Sequence, residues 1–345
     1  MNRNRLVAWV LGVWLALLPC WAGAAMGLDT IAATSEDGPV TLYYPTRAAE
    51  QAVSFGALSL SVAARAAPER GNGRLIVISH GSGGSPWMYA DLARSLVGAG
   101  FVVAMPEHRA DNYKDGGGAG PDSWTMRPAE VSRAIDAVGR DPRFAPGLSL
   151  DKVGMYGMSA GGHTALSLAG GRWSPARFKQ HCEAHLEDDP QTCMGLASQL
   201  TGGMLDGVKK WVTLRILRNR FDDSGWREHT DPRIAAIVAG VPAAADFDMA
   251  SLANPRVPLA LITAKGDRWL TPRFHSDRVL QACKPCEHLA DLPGAGHGAL
   301  LSPLPPGLTG LAGDMLNDPP GYDRAGVTAE VNGKITAYFK HHLLR

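Results

Sequence analysis

Two junctions of strand, glycine turn and helix constrain this chain more than any other feature. Leu75–Ser79 is an apolar run rich in β-branched residues, and His80-Gly81-Ser82-Gly83-Gly84 breaks it at once. Tyr89–Val97 then has helical spacing through Leu92, Leu96 and Val97. The arrangement recurs at Val153–Tyr156, where Gly157-Met158-Ser159-Ala160-Gly161-Gly162 stands at the strand end and His163–Leu168 resumes as helix. A strand that is apolar at successive positions is buried on both faces, which requires a parallel sheet covered by helices on each side.

The rest of the chain fits that architecture. Val40–Tyr44, Phe101–Met105, Ile234–Val241 and Leu259–Thr263 read as further strands. Ala129–Val138 reads as a helix, with Val131, Ile135 and Val138 on one face. Val327–Leu344 closes the chain as another, with Val327, Val331, Ile335 and Phe339 together. The pattern predicts an α/β fold over 25–345 with a mostly parallel central sheet. Residues 170–231 differ in texture, holding two cysteines, several charges and Trp211, and read as a cap-like insertion over the sheet. Pro303–Pro320 is rich in proline and glycine and reads as a loop. There is no internal repeat.

The first residues suggest a compartment. Two arginines in Met1–Arg5 precede the uncharged run Leu6–Leu18, and Ala22-Gly23-Ala24 supplies small residues for cleavage. This is the pattern of a secretory signal over 1–24, and the apolar run is shorter than the roughly 20 residues a spanning helix needs. The expected location is periplasmic or secreted, with no stable membrane span after cleavage. Cleavage leaves Cys182, Cys193, Cys283 and Cys286, an even number for an oxidising compartment. Three pairings are possible, and the locally closed ones, Cys182–Cys193 and Cys283–Cys286, are favoured. A zinc site and a redox Cys283-Lys284-Pro285-Cys286 motif are the alternatives. With 34 basic and 33 acidic residues the net charge is +1, which excludes the basic footprint of a general nucleic-acid binder. Mean hydropathy of −0.08 excludes a multi-spanning membrane protein.

The chemistry gathers at strand ends. Ser159 sits in Gly157-Met158-Ser159-Ala160-Gly161, and a serine there is lifted out of the sheet by a sharp strand-to-helix turn. A hydroxyl is a weak nucleophile and needs an adjacent base. His297 lies in Gly294-Ala295-Gly296-His297-Gly298, and Asp267 follows the strand Leu259–Thr263. The chain order Ser159, Asp267, His297 is that of nucleophile, acid and base in strand-elbow hydrolases. A tetrahedral oxyanion also needs two N–H donors. Ala160, after the nucleophile, supplies one, and Ser82 the other, with Gly83 as its alternative.

Other residues compete for these roles. Asp246 and Asp248 are alternative acids and His288 an alternative base, each less well placed relative to its strand. His80 and His108 read as structural hydrogen-bonders, and His163 as a packing residue. Trp87, Met88, Met158 and Trp269 flank the site in sequence. Trp87, Met158 and Trp269 are candidates for an apolar substrate pocket, with core packing as the other reading of Met158 and Trp269. Arg109 and Arg268 are isolated, so no anion clamp is evident and neutral esters are favoured.

Taken together, Ile78–Gly84, Pro106–Asn112, Gly157–Gly162, Gly266-Asp267 with Thr271-Pro272, and Gly296-His297 resemble an α/β-hydrolase. The sequence is most similar to the branch of dienelactone hydrolases and platelet-activating-factor acetylhydrolase-like lipases. The resemblance implies the fold and the serine mechanism, and leaves the substrate open. Dienelactone hydrolases proper carry a cysteine nucleophile, and Ser159 in its place favours ester hydrolysis over lactone hydrolysis. The expectation is a serine carboxylic-ester hydrolase acting on a small-molecule ester, with no metal or organic cofactor. A lactone, thioester or amide hydrolase with the same residues is one alternative, and a non-catalytic binding protein on the same fold is the other.

Overall fold

The apolar runs assemble into one ten-stranded sheet. This computed structural model describes residues 25–195 and 198–345. In chain order the strands are β1 (Ala25–Ile31), β2 (Val40–Thr46), β3 (Gln51–Phe55), β4 (Leu58–Ala64), β5 (Leu75–Ser79), β6 (Val102–Pro106), β7 (Val153–Met158), β8 (Ile234–Gly240), β9 (Leu259–Ala264) and β10 (Glu287–Leu292). Their spatial order is β10-β9-β8-β7-β5-β6-β2-β1-β4-β3. From β10 to β6 all neighbours run parallel, and β2 then turns antiparallel to both β6 and β1.

Every residue of β5, β6, β7 and β9 is buried, as the continuous apolar runs require. One face is covered by α1 (Ala90–Gly98), which brings Leu92 and Leu96 to the core. The opposite face is covered by α2 (Pro121–Arg140) and α3 (Ala160–Leu168), through Val131, Ile135, Val138 and Leu166. A smaller apolar cluster holds together α4 (Pro175–His185), α5 (Pro190–Met194) and α6 (Asp206–Arg220), with Phe178, Cys182, Met194 and Leu217 at its centre. Cys182–Cys193 ties α4 to α5, with Cα atoms 5.5 Å apart. After α7 (Ser276–Ala282), Cys283–Cys286 closes the turn into β10, with Cα atoms 5.4 Å apart. Both are the locally closed pairings.

Pro303–Pro320 is not wholly loop, since α8 (Gly310–Leu316) forms within it, its last turn closed by Asn317 N–H donating to Gly313 O. The final helix, α9 (Arg324–Leu343), joins α1 on its face through Val331, Ile335 and Phe339. The strands β1, β4 and β3, at one end of the sheet, go beyond the strands read from the sequence, because their runs mix polar and apolar residues; β4 buries Leu58, Leu60 and Val62 alternately. The expected signal segment lies outside the described residues. Among the described residues, no helix is long and apolar enough to cross a membrane.

Candidate active site

Four loops leave the carboxyl ends of parallel strands, the edge where open α/β sheets place their ligands. The turn after β7 carries Ser159 at φ 59° and ψ −117°, in the left-handed half of backbone space that non-glycine residues seldom occupy. Two glycines make this turn possible. A Cβ on Gly157 would stand 1.9 Å from Gly161 O, and one on Gly161 would stand 1.9 Å from Ser79 O. Backbone therefore packs on backbone where the helix passes β5. Ser159 N–H donates to Gly240 O at 3.1 Å, and Ser159 O accepts from Ala243 N–H at 3.1 Å, which fixes the turn against β8.

The Ser159 hydroxyl lies 3.0 Å from His297 Nε2. On the other side of the ring, His297 Nδ1–H donates to Asp267 Oδ2 at 2.7 Å. The other oxygen of Asp267 accepts from the N–H groups of Trp269 and Leu270 at 2.8 and 2.9 Å. The carboxylate is thus anchored by its own loop and holds the tautomer that leaves Nε2 free to accept. Asp267 and His297 are both buried, and Ser159 is partly exposed.

The alternatives are engaged elsewhere. Asp246 Oδ2 bonds His163 Nε2 at 2.9 Å. Asp248 accepts from Arg172 Nε at 2.8 Å and caps the turn at Ala250. His163 is more than a packing residue: its ring also stacks on Trp124 at 5.2 Å.

The loop after β5 lies against the Ser159 turn, so that a Cβ on Gly81 would be 3.4 Å from Ser159 Cβ. Its amides are mostly committed. Gly81 N–H donates to the Tyr89 hydroxyl at 3.0 Å, Gly83 N–H to Asp111 Oδ1 at 3.2 Å, and Gly84 N–H to Gly81 O at 3.0 Å. Gly83 is therefore not a spare donor. Among the described residues, the N–H groups of Ser82 and Ala160 have no hydrogen-bond acceptor.

A buried polar network holds this loop, and part of it escaped the sequence reading. Asp111 Oδ1 accepts from the Ser82 hydroxyl at 2.5 Å, and Oδ2 from the Ser123 hydroxyl at 2.7 Å. Arg127, fully buried, donates to Asp111 Oδ2 at 2.8 Å and to His80 O at 2.6 Å. Burial alone would raise the Asp111 pKa, but the Arg127 charge and the hydroxyl donors outweigh it and hold the group at about 2. Burial pushes His80 and His108 well below the usual histidine range, with Arg127 acting in the same direction on both. Both rings are therefore neutral: His108 Nδ1–H donates to Glu130 at 2.5 Å, and its Nε2 accepts from the Ser79 hydroxyl at 2.7 Å. Asp111 lies in a motif the sequence reading singled out. Nothing in the sequence distinguishes Arg127 from a surface arginine.

Beside His297 lies a cavity of about 520 Å³ lined by Trp269, Arg268, Leu308, Thr309, Asp314 and Pro319, among others. Of the three pocket candidates, Trp269 alone lines it. Met158 is buried at the end of β7 with its sulfur under the Tyr89 hydroxyl, and so belongs to the core. Trp87 stacks on Phe55 at 5.1 Å and meets the edge of Tyr113, away from that cavity.

A mostly parallel sheet with a serine at a strained strand-to-helix turn defines the α/β-hydrolase fold. Within that fold, the chain resembles the platelet-activating-factor acetylhydrolase-like branch: residues 41–113 match the family described as platelet-activating factor acetylhydrolase, isoform II. The match supports a hydrolase acting on esters. It runs from β2 through the Ser82 loop to Tyr113 and ends before Ser159, Asp267 and His297. No curated protein matches the chain.

Proposed function

We propose that the protein is a serine hydrolase that cleaves carboxylic esters through an acyl-enzyme, with Ser159 as nucleophile, His297 as general base and acid, and Asp267 as orienting acid. The observation that carries this reading is the unbroken chain Ser159 Oγ–His297 Nε2–Asp267 Oδ2, at 3.0 and 2.7 Å, beside two uncommitted amides. Ser159 Oγ attacks the ester carbonyl carbon while its proton passes to His297 Nε2. The developing oxyanion accepts hydrogen bonds from Ser82 N–H and Ala160 N–H. Asp267 stabilises the imidazolium without taking its proton. Collapse expels the alkoxide, which His297 protonates. A water that His297 deprotonates then attacks the acyl carbon and frees Ser159 with the acid as product.

Because His297 protonates the leaving oxygen, the alcohol part of the substrate lies on the histidine side. The Trp269 cavity is on that side, and it suits an alcohol of moderate size. The α4–α6 segment is the expected cap, and we assign the protein to the periplasm or the extracellular space, consistent with two disulfides. The test is labelling with a fluorophosphonate, followed by peptide mapping. The expected adduct is on the peptide containing Ser159 and is lost in Ser159→Ala. Labelling of a different residue, or none at all in protein that turns over esters, overturns the assignment.

A further inference from the structure

Helix α6 has two apolar sides. Leu217 points into the α4–α6 cluster, with Leu214 packed against it. On the opposite side Leu205, Val208, Val212 and Ile216 recur at helical spacing with Trp211 beside them, and they are 69, 58, 41, 54 and 67% exposed. Met204, just before the helix, is fully exposed. Six of the ten large hydrophobic side chains exposed among the described residues thus fall within one short stretch, which makes them a patch and not the ordinary scatter of a soluble surface.

We propose that this face of α6 docks the protein on an anionic lipid surface. The helix carries Lys209, Lys210, Arg215, Arg218 and Arg220 against one acid, Asp206. Four of these cations pair with carboxylates (Asp206, Glu187, Glu183 and Asp122), mostly at exposed sites where such pairs are worth little and lipid phosphates can replace them. Arg215 lies within the apolar face itself, and among the described residues its guanidinium meets only the Asn219 side-chain oxygen, at 2.7 Å. An apolar stripe with a tryptophan at its margin and long cationic side chains able to reach outward is what a headgroup region accommodates. A second copy of the chain fits less well. Pairing about Val212 would set Arg215 against Lys209 of the other copy if antiparallel, and against its own equivalent if parallel.

The location gives the docking a use. Thr192 Oγ–H at α5 donates to Trp269 O at 2.9 Å, and Asp189 bonds both His181 and His275, at 2.9 and 3.2 Å. These contacts join the segment bearing α6 to the loop that follows β9 and holds Asp267. The segment lies outside residues 41–113, so the family match says nothing of it.

Flotation of the purified protein with vesicles of phosphatidylglycerol, and separately of phosphatidylcholine, tests the proposal. Wild type floats with phosphatidylglycerol. Trp211→Ser/Ile216→Ser loses at least about tenfold in partitioning, since both side chains leave the apolar phase. Arg215→Gln loses several-fold on phosphatidylglycerol and little on phosphatidylcholine. Turnover of a short soluble ester is unchanged in both variants. Ser159→Ala floats like wild type, so the result is independent of the catalytic reading. Failure of wild type to float, or equal flotation of the double variant, overturns the proposal. So does sedimentation velocity that shows a dimer dissolved by the double variant in protein that vesicles do not capture.

Discussion

Replacing Arg127 with methionine removes a charge from the centre of the network beneath the Ser82 loop. The guanidinium is fully buried and donates to Ser123 Oγ at 2.8 Å, His80 O at 2.6 Å, and Asp111 at both O and Oδ2, at 3.1 and 2.8 Å. Methionine keeps much of the volume and none of the donors. Asp111 is left as a buried carboxylate facing two hydroxyls and an amide, and His80 O loses its Arg127 donor. Breaking a buried pair from one side costs about 3–5 kcal/mol, whereas replacing both partners with apolar groups is close to neutral. The expectation is a loss of about 3–5 kcal/mol for Arg127→Met, read as a shift in urea midpoint at constant slope. Arg127→Met/Asp111→Leu should recover part of it.

The same pair predicts a pH dependence. The Asp111 pKa of about 2 in the folded protein lies below its unfolded value near 3.9, so the folded state favours the ionised form. Its contribution is complete above about pH 4 and is lost as pH falls through 2; roughly two units correspond to about 2.5 kcal/mol. In Arg127→Met that acid limb shrinks, because the lone carboxyl titrates nearer its unfolded value. Ester turnover should also fall, mainly in kcat, as the Ser82 amide loses its fixed position. A cost below about 1 kcal/mol, or an unchanged acid limb, would refute the reasoning.

Other perturbations follow from single contacts. Gly161→Ala would drive a Cβ to within 1.9 Å of Ser79 O, so the turn must open; the variant should lose several kcal/mol of stability, at least about 3, and all ester turnover, measured by urea unfolding and p-nitrophenyl ester assay. Asp267→Asn preserves shape but presents an amide to His297 Nδ1, favouring the wrong tautomer; kcat should fall by about 10³–10⁴ with little change in melting temperature. Cys182→Ser/Cys193→Ser opens a short loop and should cost about 3 kcal/mol in the unfolding of the α4–α6 segment, seen as faster amide exchange there.

The proposed site is more legible in the sequence than its supports. Ser159 and the Ser82 loop could be read because each needs glycine directly after a buried strand, a local signature that survives without coordinates. Asp267 and His297 could be read from their order and from the strand before Asp267. Arg127 could not, because Asp111 and His80, which it holds, lie 16 and 47 residues away and an arginine in a helix ordinarily faces water. Met158 was ambiguous for the opposite reason, since it adjoins Ser159 in sequence yet is the last residue of a strand buried on both faces. Helix α8 was hidden by the prolines and glycines around a segment of only seven residues. The α4–α6 segment announced itself by composition, but its outward apolar face emerges only once Leu217 is seen to face in.

The most direct test of the account is the turnover of a p-nitrophenyl ester by Ser159→Ala, in protein whose circular dichroism and melting temperature match wild type. With the hydroxyl 3.0 Å from His297 Nε2 as the attacking group, kcat/KM should fall by about 10⁴-fold or more. A variant that folds normally and keeps its rate to within about tenfold would place the chemistry elsewhere and contradict the account.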